Sequence, residues 1–352
     1  MGLLLLFILW IFMKQPTLLL APFKGLTEIV YRNAYARYFG GFDAMYAPFI
    51  YGTGHHRVNP SKLTDVAPIE AMLSATVPQF LTSDPREAVA IAKSLAQEGY
   101  THINWNMGCP FSRIADKKRG CGILPYPDEL DRMLQFVFQE SPIAISIKTR
   151  LGYYHPDESI RVLEVLNRYP LHLLIIHARI GTQIYAGEVN LDGFAHCLSL
   201  AKMPVAYNGD VFHKDRFDEL SRRFPEVSAW MLGRGALINP FLAREIKGDL
   251  IPDSEKRELL RQFLHELENG NTLNKTDSAR RLGFLKAVWF YLAGLFMPQI
   301  EISQRIKKTQ NLSDYKQAVD EALEMPFSGS GDIERYYRYG VKHLGTEQMA
   351  IN

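Results

Sequence analysis

The segment Thr101–Pro110, Thr-His-Ile-Asn-Trp-Asn-Met-Gly-Cys-Pro, gathers an active-site assortment into ten residues. Its first half alternates and is rich in β-forming side chains, which predicts a buried strand, Thr101–Trp105, running into a loop at Asn106. The loop then presents a carboxamide at Asn106, a glycine at Gly108 that lets backbone approach a ligand, and a thiol at Cys109. Taken alone, the same residues also read as a buried structural cysteine beside a turn-forming Pro110.

Other polar residues stand at the ends of short apolar runs: Pro22, Gln79, Lys148 with Arg150, His177 with Arg179, Asn208 with Asp210, and Gly233-Arg234-Gly235. Each has a plain reading by itself. Asn208-Gly209 is a common turn, Lys148 suits a solvated strand end, and His177 suits a satisfied core histidine. The elements that carry them decide the matter. From Leu18 the chain repeats a cycle of apolar run, polar loop and helical pattern, with strands predicted near Leu18–Leu20, Asp43–Ala47, Val77–Leu81, Thr101–Trp105, Ile143–Lys148, His172–Ile176, Pro204–Tyr207 and Val227–Leu232. Helix-period segments fall between them at Thr27–Tyr38, Pro85–Glu98, Asp128–Gln139, Pro156–Arg168, Leu191–Ala201 and Lys214–Arg223, while the crossover Val58–Thr76 is interrupted by Pro60 and Pro68. Eight such cycles fit an α/β fold of the (β/α)₈ TIM-barrel type, residues 17–250, better than an open doubly wound sheet. In that barrel the strand ends converge on one mouth, so the polar residues become neighbours.

After about Lys247 the strands stop. Helical patterns at Glu255–Glu268, Ser278–Phe296, Ile300–Thr309 and Ser313–Leu323 predict a small all-helical domain over residues 251–328, and Gly-Ser-Gly near 329 predicts a poorly ordered tail over 329–352. Ser278–Leu295 sets Arg280, Arg281 and Lys286 against Leu282, Leu285, Val288, Trp289 and Leu292. At the other end, Leu3–Met13 is an apolar run too short to span a bilayer, so residues 1–16 read as an appended extension and membrane association is not expected.

With 352 residues and 47% hydrophobic content, the chain can bury a large core. A net charge of +2 carries no nucleic-acid signature, so any RNA surface must come from local clusters such as Lys117-Lys118-Arg119, Arg280-Arg281, and Arg305 with Lys307-Lys308. The three cysteines, Cys109, Cys121 and Cys197, lack metal-ligand or paired spacing, which excludes a disulfide framework and a zinc site and points to a reducing, cytoplasmic compartment. No metal is expected, and the protein is expected to be a monomer.

Glycines and a basic residue after strands seven and eight are where such barrels hold a phosphate, here Asn208-Gly209-Asp210 and Gly233-Arg234-Gly235. No G-x-G-x-x-G follows a strand, which argues against a Rossmann nucleotide site. Gln79, Lys148 and His177 would hydrogen-bond a polar ring over the mouth, which suits FMN, with Lys148 stabilising negative charge at the N1–O2 edge and Cys109 facing the substrate.

In these residues the chain resembles the tRNA-dihydrouridine synthases, over nearly all of its length after Thr17. The matching motifs are Ala21-Pro22-x-x-Gly25, Pro78-Gln79, Asn106-x-Gly108-Cys109-Pro110, Lys148-x-Arg150-x-Gly152, His177-Ala178-Arg179 with Gln183, Tyr185 and Gly187, Asn208-Gly209-Asp210, and Gly233-Arg234-Gly235. The resemblance implies an FMN-containing barrel reduced by NADPH, with a C-terminal helical domain that binds tRNA. Hydride then goes to C6 of a D-loop uracil, and Cys109 protonates C5. It further implies that Ala21, Pro22, Gln79, Lys148, His177, Asn208, Asp210, Gly233 and Arg234 hold the cofactor, and that Asn106, Arg179 and Gln183 hold the substrate. Lys148–Gly152, Gly233–Leu237 with Asn239-Pro240, and Arg281–Leu292 look most like the class C branch, which acts at position 16. Phe23, Glu28 and Cys121 depart from the family pattern, and Cys121 is expected to be a small packing residue.

Two other readings compete. A flavin barrel acting on a small molecule, in the manner of dihydroorotate dehydrogenase, would not need the helical domain. An RNA-binding barrel that has lost catalysis would not need Cys109, Lys148 and His177.

Overall fold

The computed structural model describes residues 15–51, 58, 63–68, 74–270 and 278–337. Most of the apolar extension, and the tail beyond Tyr337, lie outside the described residues. The barrel elements, in chain order, are β1 (Leu18–Leu20), α1 (Ile29–Tyr38), β2 (Ala44–Tyr46), β3 (Ala75–Val77), β4 (Gln79–Phe80), α2 (Pro85–Gln97), β5 (His102–Met107), α3 (Ser112–Ala115), α4 (Pro127–Glu140), β6 (Ala144–Arg150), α5 (Glu158–Leu166), β7 (Leu174–His177), α6 (Leu191–Leu200), β8 (Val205–Asn208), α7 (Lys214–Arg223) and β9 (Ala229–Leu232).

The nine strands among the described residues are all parallel, in the order β3-β2-β1-β9-β8-β7-β6-β5-β4. The two end strands are consecutive in the chain and separated only by Pro78, which has no N–H to give to a ladder. β3 pairs with β2, β4 pairs with β5, and Ile50 bridges to Phe80, so one proline-broken strand closes the cylinder. The nine segments thus form the eight staves of a TIM barrel.

Some of the helices begin at side-chain caps. Asp84 accepts the Arg86 N–H at 2.8 Å ahead of Pro85, and Asn190 accepts the Gly193 N–H at 2.8 Å, each worth about 1 kcal/mol. α2 buries Ala88, Val89, Ile91, Ala92 and Leu95, and α4 buries Leu130, Met133, Leu134 and Val137.

β5 shows how the barrel divides its two faces. Ile103, Trp105 and Met107 point outward into the core shared with the helices, while Asn104 and Asn106 lie buried on the other face. The strand runs past the expected end at Trp105, because Asn106 and Met107 pair with Lys148 and Thr149 of β6. Inside the barrel a small apolar cluster of Leu19, Ala21, Tyr46, Val77, Ile175, Ala206, Ala229 and Met231 fills the space that the polar residues leave.

Beyond the barrel lie α8 (Arg234–Ile238), α9 (Leu242–Ile246), α10 (Asp253–Asn269), α11 (Ser278–Leu292), α12 (Gln299–Lys308), α13 (Leu312–Leu323) and α14 (Ser330–Arg335). α11 buries Leu282, Leu285, Val288, Trp289, Tyr291 and Leu292, and these join the same continuous core as the barrel helices. The tail departs from expectation in its described part. Gly329–Tyr337 holds α14, with Ile333, Tyr336 and Tyr337 buried.

Candidate active site

The Cys109 loop is pinned on every side. Asn106 Oδ1 accepts the N–H groups of Gly108 and Cys109, both at 3.0 Å, an arrangement that closes a tight turn at the strand end. Its amide nitrogen donates to Gln79 Oε1 at 2.8 Å, Gln79 Nε2 donates to Asn104 Oδ1 at 2.7 Å, and Asn104 Nδ2 donates to Ser146 Oγ at 2.8 Å. This buried chain satisfies polar groups that would otherwise cost heavily inside a barrel. Arg150 Nε donates to the Gly108 carbonyl at 2.9 Å, and its Nη1 reaches the Ile180 carbonyl at 2.9 Å.

The Cys109 carbonyl accepts from both the N–H and the thiol of Cys121, each at 3.1 Å. Cys121 therefore holds the loop's backbone. Gly120 completes the clamp: its φ is +56°, and a Cβ there would stand 2.5 Å from the Cys109 oxygen. Burial pushes the Cys121 thiol up to about 12. It also raises the Cys109 thiol, against the opposing pull of the Phe111 N–H and of Arg150, Arg113 and Lys148. Both cysteines are protonated at neutral pH, so Cys109 presents a proton to the cavity it lines.

Lys148 enters that cavity from β6 and has no hydrogen bond or ion pair among the described residues. Burial, reinforced by Arg150, lowers its ammonium to about 7. Beside it, burial and then the charges of Arg150, Lys148, Arg179 and Arg234 hold His177 well below its usual value, so the imidazole is neutral.

At the far end of the mouth, Asp210 sits between two buried arginines. Arg179 Nη1 donates to it at 2.9 Å and Arg234 Nη2 at 2.5 Å, and Arg179 also donates to the Gly187 carbonyl at 2.6 Å. Two cations and one carboxylate leave this cluster with one net positive charge. Among the described residues, Arg234 Nη1 is buried without a hydrogen-bond partner. The N–H groups of Gly233 and Arg234, which open α8, have no acceptor among the described residues. Gly235 is required by packing, since a Cβ would lie 2.0 Å from the Val211 carbonyl. A buried, net positive site with unused donors is built for an anion of phosphate size.

The cavity that joins these groups has a volume of about 1260 Å³ and is lined by Ala21, Pro22, Gln79, Asn106, Cys109, Lys148, His177, Asn208, Asp210, Gly233 and Arg234 among the residues expected from sequence. Arg179 and Gln183 do not line it. Arg179 lies beneath the surface on Asp210, and Gln183 Oε1 accepts the Ile180 N–H at 2.9 Å within its own turn. The carboxamide of Asn106 is largely committed to Gln79 and the Cys109 loop, so it shapes the site as well as facing it.

Sequence reasoning did not single out Phe23, Phe284, Phe290 or Tyr291 as cavity residues, yet all four line it. Phe284, Phe290 and Tyr291 were visible only as apolar residues of α11, and Phe23 only as a departure from the family pattern. The basic clusters divide. Lys117, Arg119, Arg280 and Lys307 line the cavity, joined by Lys24 and Arg113. Lys286 lines it too while donating to the Lys307 carbonyl at 3.0 Å at the end of α12, whereas Lys118 is paired with Glu129 at 2.5 Å and Arg305 is paired with Glu321.

The family described as dihydrouridine synthase matches residues 19–328. The tRNA-dihydrouridine synthase B of Pasteurella multocida is 26% identical over 289 residues, which cover 78% of this chain and 83% of that protein. The tRNA-dihydrouridine(16) synthase of Ralstonia nicotianae is 26% identical over 321 residues, covering 87% of this chain and 96% of the other. That of Neisseria meningitidis serogroup A is 29% identical over 291 residues, covering 78% and 87%. The family match runs through the barrel and into the helices that roof its mouth, and the chain belongs to the dihydrouridine synthase family.

Proposed function

We propose that this protein, acting in the cytoplasm, reduces the C5–C6 double bond of a uridine in the tRNA D-loop to 5,6-dihydrouridine at position 16, with FMN bound in the barrel and NADPH as reductant. One observation carries the reading. A protonated thiol, Cys109, and an unpartnered lysine, Lys148, share a cavity formed jointly by the barrel mouth and α11, and Lys24, Arg113, Lys117, Arg119, Arg280 and Lys307 line that cavity.

The residues present fit an FMN. The unpaired Nη1 of Arg234 in a net positive cluster suits the phosphate, and Lys148 suits the electron-rich edge of the ring. A flavin held there and reduced would supply the hydride for uracil C6. The chain's own residues do the rest. Cys109 holds a proton on Sγ for C5, and its raised pKa keeps that proton in place until the base needs it. Neutral His177 adds a hydrogen-bonding group without adding a charge. Lys148 gains most when negative charge develops beside it, because burial and Arg150 penalise its ammonium.

Residues 251–328 would hold the RNA, with Phe284, Phe290 and Tyr291 offering aromatic surface to a base flipped into the mouth. A small pyrimidine substrate would leave that roof unused, which disfavours the dihydroorotate dehydrogenase-like reading. Position 16 is supported by the relatives that bear that number in their names and by the Lys148–Gly152 and Gly233–Leu237 motifs. Mass mapping of tRNA from cells with and without the gene tests the proposal. The two-hydrogen mass gain at uridine 16 should vanish with the gene. Its loss at another D-loop uridine would overturn the position, and unchanged tRNA would overturn the function.

A further inference from the structure

The segment after Gly329 docks against the phosphate end of the cavity. Tyr336 lies over Gly294, where a Cβ would come within 2.7 Å of its ring, and its hydroxyl donates to the Phe290 carbonyl at 3.0 Å. Glu334 stands 3.5 Å from His213 Nε2, while His213 Nδ1 accepts the Arg216 N–H at 3.2 Å at the start of α7. The imidazole proton is thereby placed on Nε2, facing Glu334. These contacts deliver Tyr337 onto Phe212, with ring centroids 5.1 Å apart and planes 27° apart.

Arg234 completes the stack. Its guanidinium carbon lies 4.0 Å from the Tyr337 centroid, nearer than to Tyr185 at 4.8 Å or Phe212 at 5.8 Å. An aromatic ring beneath a guanidinium holds the cation without offering it an oxygen acceptor, so the contact takes up none of its charge-assisted hydrogen bonds. An acidic or amide side chain in the same place would have taken up Nη1. Here Nη2 goes to Asp210 and Nη1 stays unused.

We propose that Tyr337 is a positioning residue of the phosphate site: it fixes the Arg234 guanidinium in the cavity wall so that its positive charge is held beside the phosphate of the bound flavin. Retention of the phosphorylated cofactor then depends on docking of the C-terminal segment, and the expected loose tail is part of the site. This inference rests on the flavin reading above.

The test uses the full chain freed of flavin and titrated with FMN and with riboflavin, followed by flavin fluorescence. Wild type should bind FMN more tightly than riboflavin. Tyr337→Phe, which keeps the ring, should preserve that preference. Tyr337→Leu, which fills the space without a π face, and Tyr337→Ala should weaken FMN several-fold to about 30-fold and leave riboflavin unchanged. If the alanine variant does not fold, the Leu and Phe pair decides. An unchanged preference in Tyr337→Leu, or equal weakening of both flavins, would overturn the proposal in favour of simple packing. A wild type that does not distinguish FMN from riboflavin would instead remove the phosphate reading itself, and the role of Tyr337 with it.

Discussion

Replacing Lys148 by methionine should stabilise the flavin-free protein while damaging its site. The ammonium, lowered to about 7 by burial and Arg150, has no compensating partner among the described residues. In the unfolded chain the same lysine returns to its ordinary 10.5. Between about pH 7 and pH 10 the unfolded chain therefore binds a proton that the folded chain does not, and the folded state gains stability as pH rises through that window. Below it both states are protonated, and the folded state carries the full penalty. At 1.36 kcal/mol for each pH unit separating the two values, the penalty is at most about 5 kcal/mol, reduced by solvent in the cavity because Lys148 is only half-buried. An unfolding entropy of about 2.1 cal/mol/K per residue gives about 0.7 kcal/mol/K for 352 residues. Lys148→Met should then raise the Tm by up to about 7 °C at pH 6, with the gain shrinking toward zero by pH 10. Methionine keeps most of the side-chain volume, so no cavity confuses the comparison. Thermal unfolding of both flavin-free proteins across that pH range measures the effect. A variant no more stable than wild type at pH 6, or a gain that ignores pH, would refute the reasoning.

Asp210→Asn leaves Arg179 and Arg234 buried without their carboxylate, and should cost about 3–5 kcal/mol, seen as a drop of about 4–7 °C in Tm; a change below about 1 °C would contradict it. Gly235→Ala must push the Val211 carbonyl away from a Cβ 2.0 Å distant, and should lower both Tm and FMN affinity; wild-type values for both would show that this turn is free to move. Combined Lys117→Gln, Arg280→Gln and Lys307→Gln should weaken tRNA binding and reduce its log–log salt slope by about 0.7–0.9 for each phosphate no longer neutralised, whereas Arg305→Gln, which gives up only its ion pair with Glu321, should leave the slope unchanged. An unaltered slope in the triple variant would place the RNA elsewhere.

The staves of the barrel were legible because each is a short apolar run bounded by turn formers, and the mouth followed once the strand ends were aligned. What could not be read is what tertiary pairing adds. Asn106 belongs to β5 only because Lys148 lies opposite it on β6. Arg179 reads in sequence as a strand-end cation like Lys148, yet the carboxylate of Asp210, 31 residues on, draws it out of the cavity. Gly-Ser-Gly near residue 329 reads locally as loose chain. The partners that order Tyr336 and Tyr337 are Gly294, Phe290 and Phe212, far away in sequence, and local composition carries no trace of them. Among the cysteines, the loop motif already set Cys109 apart from Cys121, and geometry supplies the reason: Cys121 gives its hydrogen to the Cys109 carbonyl and Cys109 faces the cavity.

That difference allows the most direct measurement. The full-length protein with its flavin reduced by NADPH is mixed with unmodified tRNA in a single turnover, and the two-hydrogen mass gain on D-loop uridine is followed in time. Wild type and Cys121→Ala should form dihydrouridine at rates within a few-fold of each other. Cys109→Ala, with its flavin reduced by NADPH as fast as in wild type, should be slower by roughly 10²-fold or more, the scale expected for loss of a general acid. Formation of dihydrouridine by Cys109→Ala at the wild-type rate, or no mass gain on any uridine with the wild type, would contradict the account.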